Sequence, residues 1–483
     1  MQDHSQSSTV LTMQKSSQRT RLVVLATIGA AFMSSLDLFV VNVAFDDIGR
    51  GLGVGTPSGP TAADLSWVLN AYAVTFAALL VPFGRLADRY GRKRMFVAGL
   101  ALFVAASAAC AFSDSVLLLV VFRVLQAAGA AAMTPTSLGI LMGALPPEKR
   151  VGAVRLWAVT AALAAAFGPT VGGLLTQVSW HWVFLINIPI GVVLLWLAVT
   201  AVQDVRPDDD TVTPDLAGAV VFAGSVGLLA LGLTKSNDWG WTSGRTIGSL
   251  AGAVALAVVF TLQSRRHESP VIHPELLRVR SFRYANLAML TFNIAFAAQL
   301  LVGILWLQQI WDYSALRTGL AIATGPVLVP VTAALTHRFL PDVTPARLVA
   351  IGSIICALGN VYLVSRMGTS PDYLTAYLPG WVLGGIGVGF AMPNLMAGGT
   401  RDLAPDQSAT GSAIVTMSRQ IGFVIGISIL FAIVGSSRGL DAREGFMATW
   451  WVSAGALLVA AVVALGMSAR TPDRDQEAVR VIR

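Results

Sequence analysis

Long apolar runs constrain this chain more than any other feature of its sequence. Runs of about 17 to 25 residues recur from Leu22 to Gly466, and about 20 helical residues cross a hydrocarbon core of about 30 Å. Helices suit these runs, because lipid offers no partner for backbone groups and the runs lack the alternation of barrel strands. Charged residues make up only 12% of the chain, about half the share in soluble proteins. The sequence therefore predicts an all-α polytopic membrane protein.

The runs divide into fourteen predicted transmembrane helices. These are residues 22–44, 65–84, 95–112, 116–142, 152–176, 182–202, 216–233, 246–263, 284–310, 318–337, 347–366, 375–396, 408–435 and 446–468. Two polar stretches isolate a pair of these spans, which predicts two six-helix bundles and a two-helix insertion, as in transporters built from repeated halves. The predicted segments are a tail at 1–21, a bundle at 22–203, a linker with two helices at 204–283, a bundle at 284–469 and a tail at 470–483.

Basic residues predict the orientation of the chain. Of the 33 Lys and Arg residues, 24 fall on the side of the two termini, 7 on the opposite side and two inside spans. By the positive-inside rule both termini are cytoplasmic, in a protein that crosses the cell membrane repeatedly. This bias explains the net charge of +7 without a nucleic-acid partner. The 29 arginines against four lysines are typical of a GC-rich bacterial source.

Other function classes lack their sequence signals. None of the four lysines follows a glycine, so the chain has no Gly-Lys-Ser/Thr phosphate loop. The single His-Glu pair, His267-Glu268, has Val271 at the position of a second zinc ligand. We expect neither a metal nor a cofactor. A membrane enzyme or a channel stays a distant alternative, because neither clustered catalytic side chains nor pore-lining repeats occur. Two bundles that close on each other favour a monomer.

Few ionisable groups lie inside the predicted spans, and each is a functional candidate. Asp37 lies about 22 Å from the cytoplasmic end of the first span, and Arg123 lies about 10 Å from the outer end of the fourth. The two opposite charges are therefore expected at one level. Gln126 lies one turn from Arg123 on the same helix face.

This arrangement predicts a proton-coupling site formed by Asp37, Arg123 and Gln126. Burial favours the protonated carboxyl, whereas a neighbouring arginine favours the carboxylate, so the group can exchange a proton during a transport cycle. The alternative is a permanent ion pair that only fixes the helix packing.

A second cation, Arg419, lies about 16 Å from the cytoplasmic end of the thirteenth span. It has no carboxylate within the spans of its own half. We expect Arg419 to have one of three roles. It contacts a polar part of the cargo, it biases the proton site, or it is solvated in a cavity without touching cargo. Polar and aromatic residues within spans give the other candidates for a substrate pocket. The full set is Asn42, Asn70, Gln126, Trp306 and Arg419. Simple packing is the alternative for each.

Several motifs resemble a known family. The loop between the second and third spans reads Gly84-Arg85-Leu86-Ala87-Asp88-Arg89-Tyr90-Gly91-Arg92-Lys93-Arg94, which is similar to the loop signature of the major facilitator superfamily. Further segments resemble its fourteen-helix drug:proton antiporter branch. They are residues 36–44, 123–131, 168–173, 180–189 and 418–422.

The resemblance implies roles for two of these motifs. The loop would latch the halves on the cytoplasmic side while the outside is open, through Gly84, Asp88, Arg89, Gly91, Arg92 and Lys93. The alternative is that its charges only obey the positive-inside rule. The antiporter motif, formed by Gly168, Pro169, Gly172 and Gly173, would seal the central cavity and favour exchange over leak. The alternative is an ordinary contact between small residues.

The sequence thus predicts an exporter that exchanges a lipophilic small molecule for incoming protons across the lipid bilayer. Asp37 is the proposed proton acceptor, and Arg123 tunes it. Drugs are the expected cargo. Export of an endogenous lipid, siderophore or secondary metabolite is the alternative, which the residues leave open.

Overall fold

The computed structural model describes residues 2–56, 59–203, 213–404, 407–435 and 437–468, and helices connected by turns are the regular structure found there. The predicted tail at 470–483 and most of the acidic linker lie outside the described residues. Of the described helices, thirteen are long and apolar enough to cross a membrane.

The long helices follow the predicted spans and are numbered in chain order. They are α1 (Gln2–Val43), α2 (Trp67–Tyr90), α3 (Arg92–Ala111), α4 (Val116–Ala144), α5 (Pro147–Thr176), α6 (Asn187–Ala201), α7 (Leu216–Thr234), α8 (Gly244–Ser264), α9 (Arg280–Gln309), α10 (Ala315–Phe339), α11 (Pro345–Arg366), α12 (Leu378–Thr400), α13 (Ser408–Val434) and α14 (Arg443–Leu465).

One helix begins well before its predicted span. α1 begins at Gln2, so the segment predicted as a polar tail is helical and continuous with the first membrane helix. No Gly or Pro occurs between residues 2 and 21 to end that helix. The part of α1 that is apolar enough to cross a membrane is Gln18–Val43, close to the predicted span at 22–44.

Each half packs as a bundle of its own. In the first half α1 packs against α5 and α6, while α4 packs against α2 and α3. In the second half α9 packs against α13 and α14, and α11 packs against α12 and α14. The turn between α2 and α3 depends on Gly91, whose φ of +102° lies in the region that favours glycine.

The two inserted helices lie along a seam between the halves. α7 and α8 pack against each other, and α7 also packs against α2 and α13. Phe222 and Val226 of α7 are buried in the same apolar cluster as Val74 and Val81 of α2. The insertion therefore covers one side of the junction between the bundles.

The connector after α8 is tied to the cytoplasmic end of α2. The Arg85 guanidinium donates to Ser269 Oγ and contacts His273 Nε2. Burial and the nearby Arg85 charge lower the pKa of His273, which favours the neutral imidazole that can accept from Arg85. Gln263 Nε2 donates to Asp215 Oδ1 over 2.7 Å, which joins the two ends of the insertion.

The halves meet directly at the end opposite the basic loops, which the positive-inside rule makes the outer end. Gln308 Nε2 of α9 donates to the Val43 carbonyl oxygen over 3.0 Å, and Gln309 Nε2 donates to Asp46 Oδ1 over 3.2 Å. A longer contact of 3.4 Å joins Asn70 of α2 to Ser428 of α13. The protein is therefore closed on its outer side.

Glycines bring α5 and α10 into backbone contact at this closed end. A Cβ added at Gly173 would lie 2.6 Å from Leu316 Cα and would also overlap the Ala315 carbonyl oxygen. A Cβ added at Gly319 would overlap the Pro169 carbonyl oxygen. Backbone atoms cannot move away by a change of rotamer as side chains can. The outer closure therefore requires glycine at both positions.

We predict that Gly173→Ala disfavours the outer-closed state. Overpacking costs about 1–3 kcal/mol, and here the clash exists only while α5 and α10 touch. Cysteines introduced at Asp46 and Gln309 should cross-link less in this variant, while Cys110 and Cys356 stay buried. Gly248→Ala is the matched control, since no atom lies within 4 Å of a Cβ at Gly248. Equal cross-linking in both variants would contradict the role given to Gly173.

Candidate functional site

A buried ion pair joins α1 to α4 near the outer end. Asp37 lies one and a half turns before the end of α1 at Val43, and Arg123 lies two turns into α4. Arg123 Nη1 is 2.5 Å from Asp37 Oδ2. Asp37 is 1% exposed and Arg123 is fully buried. The structure thus places the two opposite charges at one depth and in contact.

Three neutral polar side chains complete the network around the pair. Gln126 Nε2 donates to Asp37 Oδ1 over 2.8 Å, and its Oε1 accepts from Arg123 Nη1 over 2.7 Å. Asn187 Nδ2 donates to Asp37 Oδ1 over 3.0 Å. Ser107 Oγ accepts from Gln126 over 2.7 Å. Both carboxylate oxygens of Asp37 therefore accept from donors that α4 and α6 supply.

Aromatic and backbone groups hold the Arg123 guanidinium. It lies 4.1 Å from the centre of the Tyr72 ring, and its Nε donates to the Val68 carbonyl oxygen over 3.1 Å. A cation over an aromatic face is attracted by the ring quadrupole. Nη2 has no hydrogen-bond partner among the described residues. The arginine is thus fixed by α2 as well as by its charge partner.

Sequence reasoning did not select Asn187, Ser107 or Tyr72 as site residues. Asn187 did carry a usable signal, because it is an amide within a predicted span, close to the start of α6. Ser107 and Tyr72 carried none, since a hydroxyl or phenol inside a span is common and can bond to its own helix turn. Only the packing of α2, α3 and α6 shows that they belong to this site.

The antiporter motif presents two faces of α5 to two different helices. A Cβ added at Gly168 would lie 2.5 Å from Phe39 Cβ, and one at Gly172 would lie 2.8 Å from the Val40 carbonyl oxygen. Gly168 and Gly172, one turn apart, therefore pack on α1 just beyond Asp37. Pro169 and Gly173, also one turn apart, pack on α10. The same six-residue stretch, 168–173, contacts both α1, which carries Asp37, and α10 of the second half.

Within the loop Gly84–Arg94, Arg85 contacts the connector after α8, and the predicted latch residues make their described contacts within the first half. Asp88 pairs with Arg92 at 2.9 Å, both half exposed, and Lys93 Nζ donates to the Val199 carbonyl oxygen over 3.0 Å. Arg89 lies over the ring of Tyr90. Gly84 faces Pro135 at ordinary contact distance. Among the described residues Asp88 has no partner in the second half.

The other pocket candidates are fully buried in this conformation, so they line no open cavity in it. Asn42 donates to the Leu38 carbonyl oxygen over 2.6 Å, while its Oδ1 has no partner among the described residues. Asn70 lies at the contact between the halves. The ring of Trp306 packs 5.2 Å from that of Trp450, inside the second half. The structure does not gather these side chains at one surface.

Arg419 differs from these candidates, because its side chain is partly accessible in the middle of α13. Within the described residues it forms neither an ion pair nor a hydrogen bond. The neighbouring Ser418 donates to Asn286 of α9 over 2.7 Å. The structure therefore leaves one membrane-embedded cation without a protein counter-charge.

Comparisons with known proteins agree with this architecture. The family profile described as Major Facilitator Superfamily matches residues 27–427. Cephamycin export protein CmcT of Amycolatopsis lactamdurans is 32% identical, over 89% of this chain and 88% of that protein. Multidrug resistance protein Stp of Mycobacterium tuberculosis is 30% identical, over 86% of this chain and 76% of that protein. A crystal structure of a POT family transporter in complex with a thioalcohol-conjugated peptide aligns with a TM-score of 0.68 at 14% identity, over 93% of this chain and 96% of that chain.

We predict that Arg123→Gln destabilises the protein more than the double variant Asp37→Asn, Arg123→Gln does. Removing one partner of a buried pair costs about 3–5 kcal/mol, because the other charge stays buried alone. The double variant removes that charge as well. Thermal unfolding in detergent, followed by size-exclusion chromatography, measures the difference. A double variant that is less stable than the single one would show that the pair does not behave as a buried ion pair.

Proposed function

Because this chain belongs to the Major Facilitator Superfamily, we propose that it exports hydrophobic or amphipathic small molecules in exchange for protons by alternating access. The buried network of Asp37, Arg123, Gln126 and Asn187 is the observation that carries the proposal. A carboxylate inside a membrane is costly and is retained where it has a task. One proton crossing about 100 mV supplies about 2.3 kcal/mol, which is roughly fiftyfold in concentration.

Proton release fits the conformation described here. Both oxygens of Asp37 accept from nitrogen donors, one of which is the Arg123 guanidinium, and this arrangement suits an ionised carboxyl, which only accepts. The outer-closed state therefore holds the carboxylate, and the proton leaves toward the cytoplasm. In the outward-open state, separation of the outer helix ends would admit water to Asp37 and load the next proton.

The antiporter motif offers a route from this site to the moving halves. α5 touches α1 at Phe39 and Val40, two and three residues after Asp37, and touches α10 through Pro169 and Gly173. A shift of α1 on protonation would therefore alter the packing of α5 at the outer closure. The motif couples the protonation of Asp37 to the contact between halves and prevents a leak while the outside is closed.

The relatives support small-molecule cargo. Stp is named for multidrug resistance and CmcT for cephamycin export, so both drugs and secondary metabolites remain cargo classes for this chain. Asn42, Asn70, Gln126, Trp306 and Arg419 are the proposed contacts to cargo. Those that are buried here would become accessible when the outer contact between Asn70 and Ser428 opens.

We expect Asp37→Asn to abolish export driven by a proton gradient, while the protein loses stability because Arg123 loses its charge partner but stays folded. Asparagine keeps the size of the side chain but cannot exchange a proton. Inverted vesicles with an imposed gradient and a panel of lipophilic compounds measure export, and an unchanged size-exclusion profile reports folding. Asp114→Asn, an exposed carboxylate just before α4, is the control. Gradient-driven export at the wild-type rate in Asp37→Asn would remove the proposed mechanism.

We expect Asp88→Lys to slow turnover without abolishing substrate binding. The variant reverses the charge that pairs with Arg92 and removes the carboxylate that would cap a facing helix in the outward-open state. The maximal transport rate should fall, and the dissociation constant for a bound dye should stay within about threefold. Asp402→Lys, another exposed cytoplasmic carboxylate, is the matched control. Loss of dye binding in Asp88→Lys would contradict a latch.

A further inference from the structure

Two sets of partly accessible positions on α13 differ in character. Ser412, Thr416 and Arg419 follow helical spacing and are all polar. Ile421, Ile425 and Ile429 also follow helical spacing and are apolar. At 100° per residue the two sets lie on nearly opposite sides of the helix. Because charged residues in membranes face the interior of the bundle or a water-filled cavity, the polar face points into the protein.

Nothing among the described residues neutralises the charge of Arg419. Asp37 and Arg123 cancel each other through their contact of 2.5 Å. Asp37 is the only carboxylate well inside a predicted span. It already accepts hydrogen bonds from side chains of α4 and α6. The membrane interior therefore carries one net positive charge, which lies on the polar face of α13.

The side chains around Arg419 do not supply its counter-charge by other means. Thr416 Oγ1 donates to the Ser412 carbonyl oxygen, and Ser412 Oγ donates to the Ser408 carbonyl oxygen. These hydroxyl groups carry no charge. Because Arg419 is partly accessible and forms no ion pair among the described residues, an anion that enters here would pair with its guanidinium.

We propose that the cargo of this exporter carries an anionic group, which binds Arg419 on the polar face of α13 while its apolar part occupies the space between the halves. The inference rests on the proposed export function and names its substrate class. A cationic amphiphile would meet uncompensated positive charge and would be excluded. The guanidinium can bind a carboxylate, sulfonate or phosphate with paired hydrogen bonds.

Anionic cargo also changes the net charge that each transport cycle moves across the membrane. A proton that moves inward and an anion that moves outward both carry positive current into the cell. Exchange of one for one therefore moves two charges per cycle, whereas exchange for a neutral molecule moves one. Each charge contributes roughly fiftyfold in concentration per 100 mV, so anion export should depend more steeply on membrane potential than export of a neutral analogue.

A matched pair of dyes tests the anion site directly. N-phenyl-1-naphthylamine is neutral, and 8-anilinonaphthalene-1-sulfonate has the same skeleton with one permanent negative charge. Fluorescence of each dye with the protein in lipid nanodiscs, corrected with empty nanodiscs, gives its dissociation constant. Arg419→Gln should weaken binding of the sulfonate about tenfold and leave the neutral dye unchanged. Arg419→Lys should keep most of the preference because it keeps the charge.

Arg245→Gln provides the control, because Arg245 is an exposed cation at the outer start of α8. Its dye affinities should equal those of the wild type. Unchanged sulfonate binding in Arg419→Gln, an equal loss for both dyes, or no sulfonate binding by the wild type would each overturn the proposal. Unchanged binding of the neutral dye also shows that Arg419→Gln remains folded.

Vesicle transport separates this inference from the proposed function. In one outcome, Arg419→Gln still exports the neutral dye with the proton gradient but no longer exports the sulfonate. That outcome supports both the anion site and proton-driven export. In another outcome, the wild type exports neither dye, although its preference for binding the sulfonate depends on Arg419. That outcome supports the anion site and contradicts proton-driven export. Sulfonate export that responds to membrane potential no more steeply than neutral export would contradict the anion as cargo.

Discussion

The ion pair between Asp37 and Arg123 is the interaction on which the first half of this protein depends. Two buried charges near the outer end of a membrane helix would each be prohibitive alone, and together they tolerate burial only with further hydrogen bonds. Gln126, Asn187, Tyr72 and the α2 backbone supply that support. Because these groups come from different helices, the site constrains how α1, α2, α4 and α6 pack.

The small residues of α5 link this constraint to the other half. Hydrogen in place of a side chain lets α5 approach α1 on one face and α10 on the other, so the outer closure and the acidic site share one helix. Close backbone packing has few intermediate positions, which suits a protein that alternates between two arrangements rather than deforming gradually. The inserted helices lie elsewhere, along the seam of α2 and α13, where α7 buries Phe222 and Val226.

The charges of the two halves serve different purposes. In the first half the positive charge is matched within the protein, which makes protonation of one carboxyl the variable quantity. In the second half Arg419 stays unmatched and accessible, which suits a group that meets a partner from outside. Under the two proposals, a proton binds at Asp37 and an anion binds at Arg419, so each half would hold one of the two exchanged charges.

The sequence by itself determined the approximate positions of the membrane helices and the common level of Asp37 and Arg123, because apolar length and helical rise depend on local order alone. It also singled out Gln126 and the glycines of α5. It could not select Ser107 or Tyr72, or assign separate partners to the two faces of α5, because those facts depend on which helices become neighbours. Tertiary packing alone decided that the outer end is closed and that Asn42, Asn70 and Trp306 are buried there, because such contacts join residues distant in the chain.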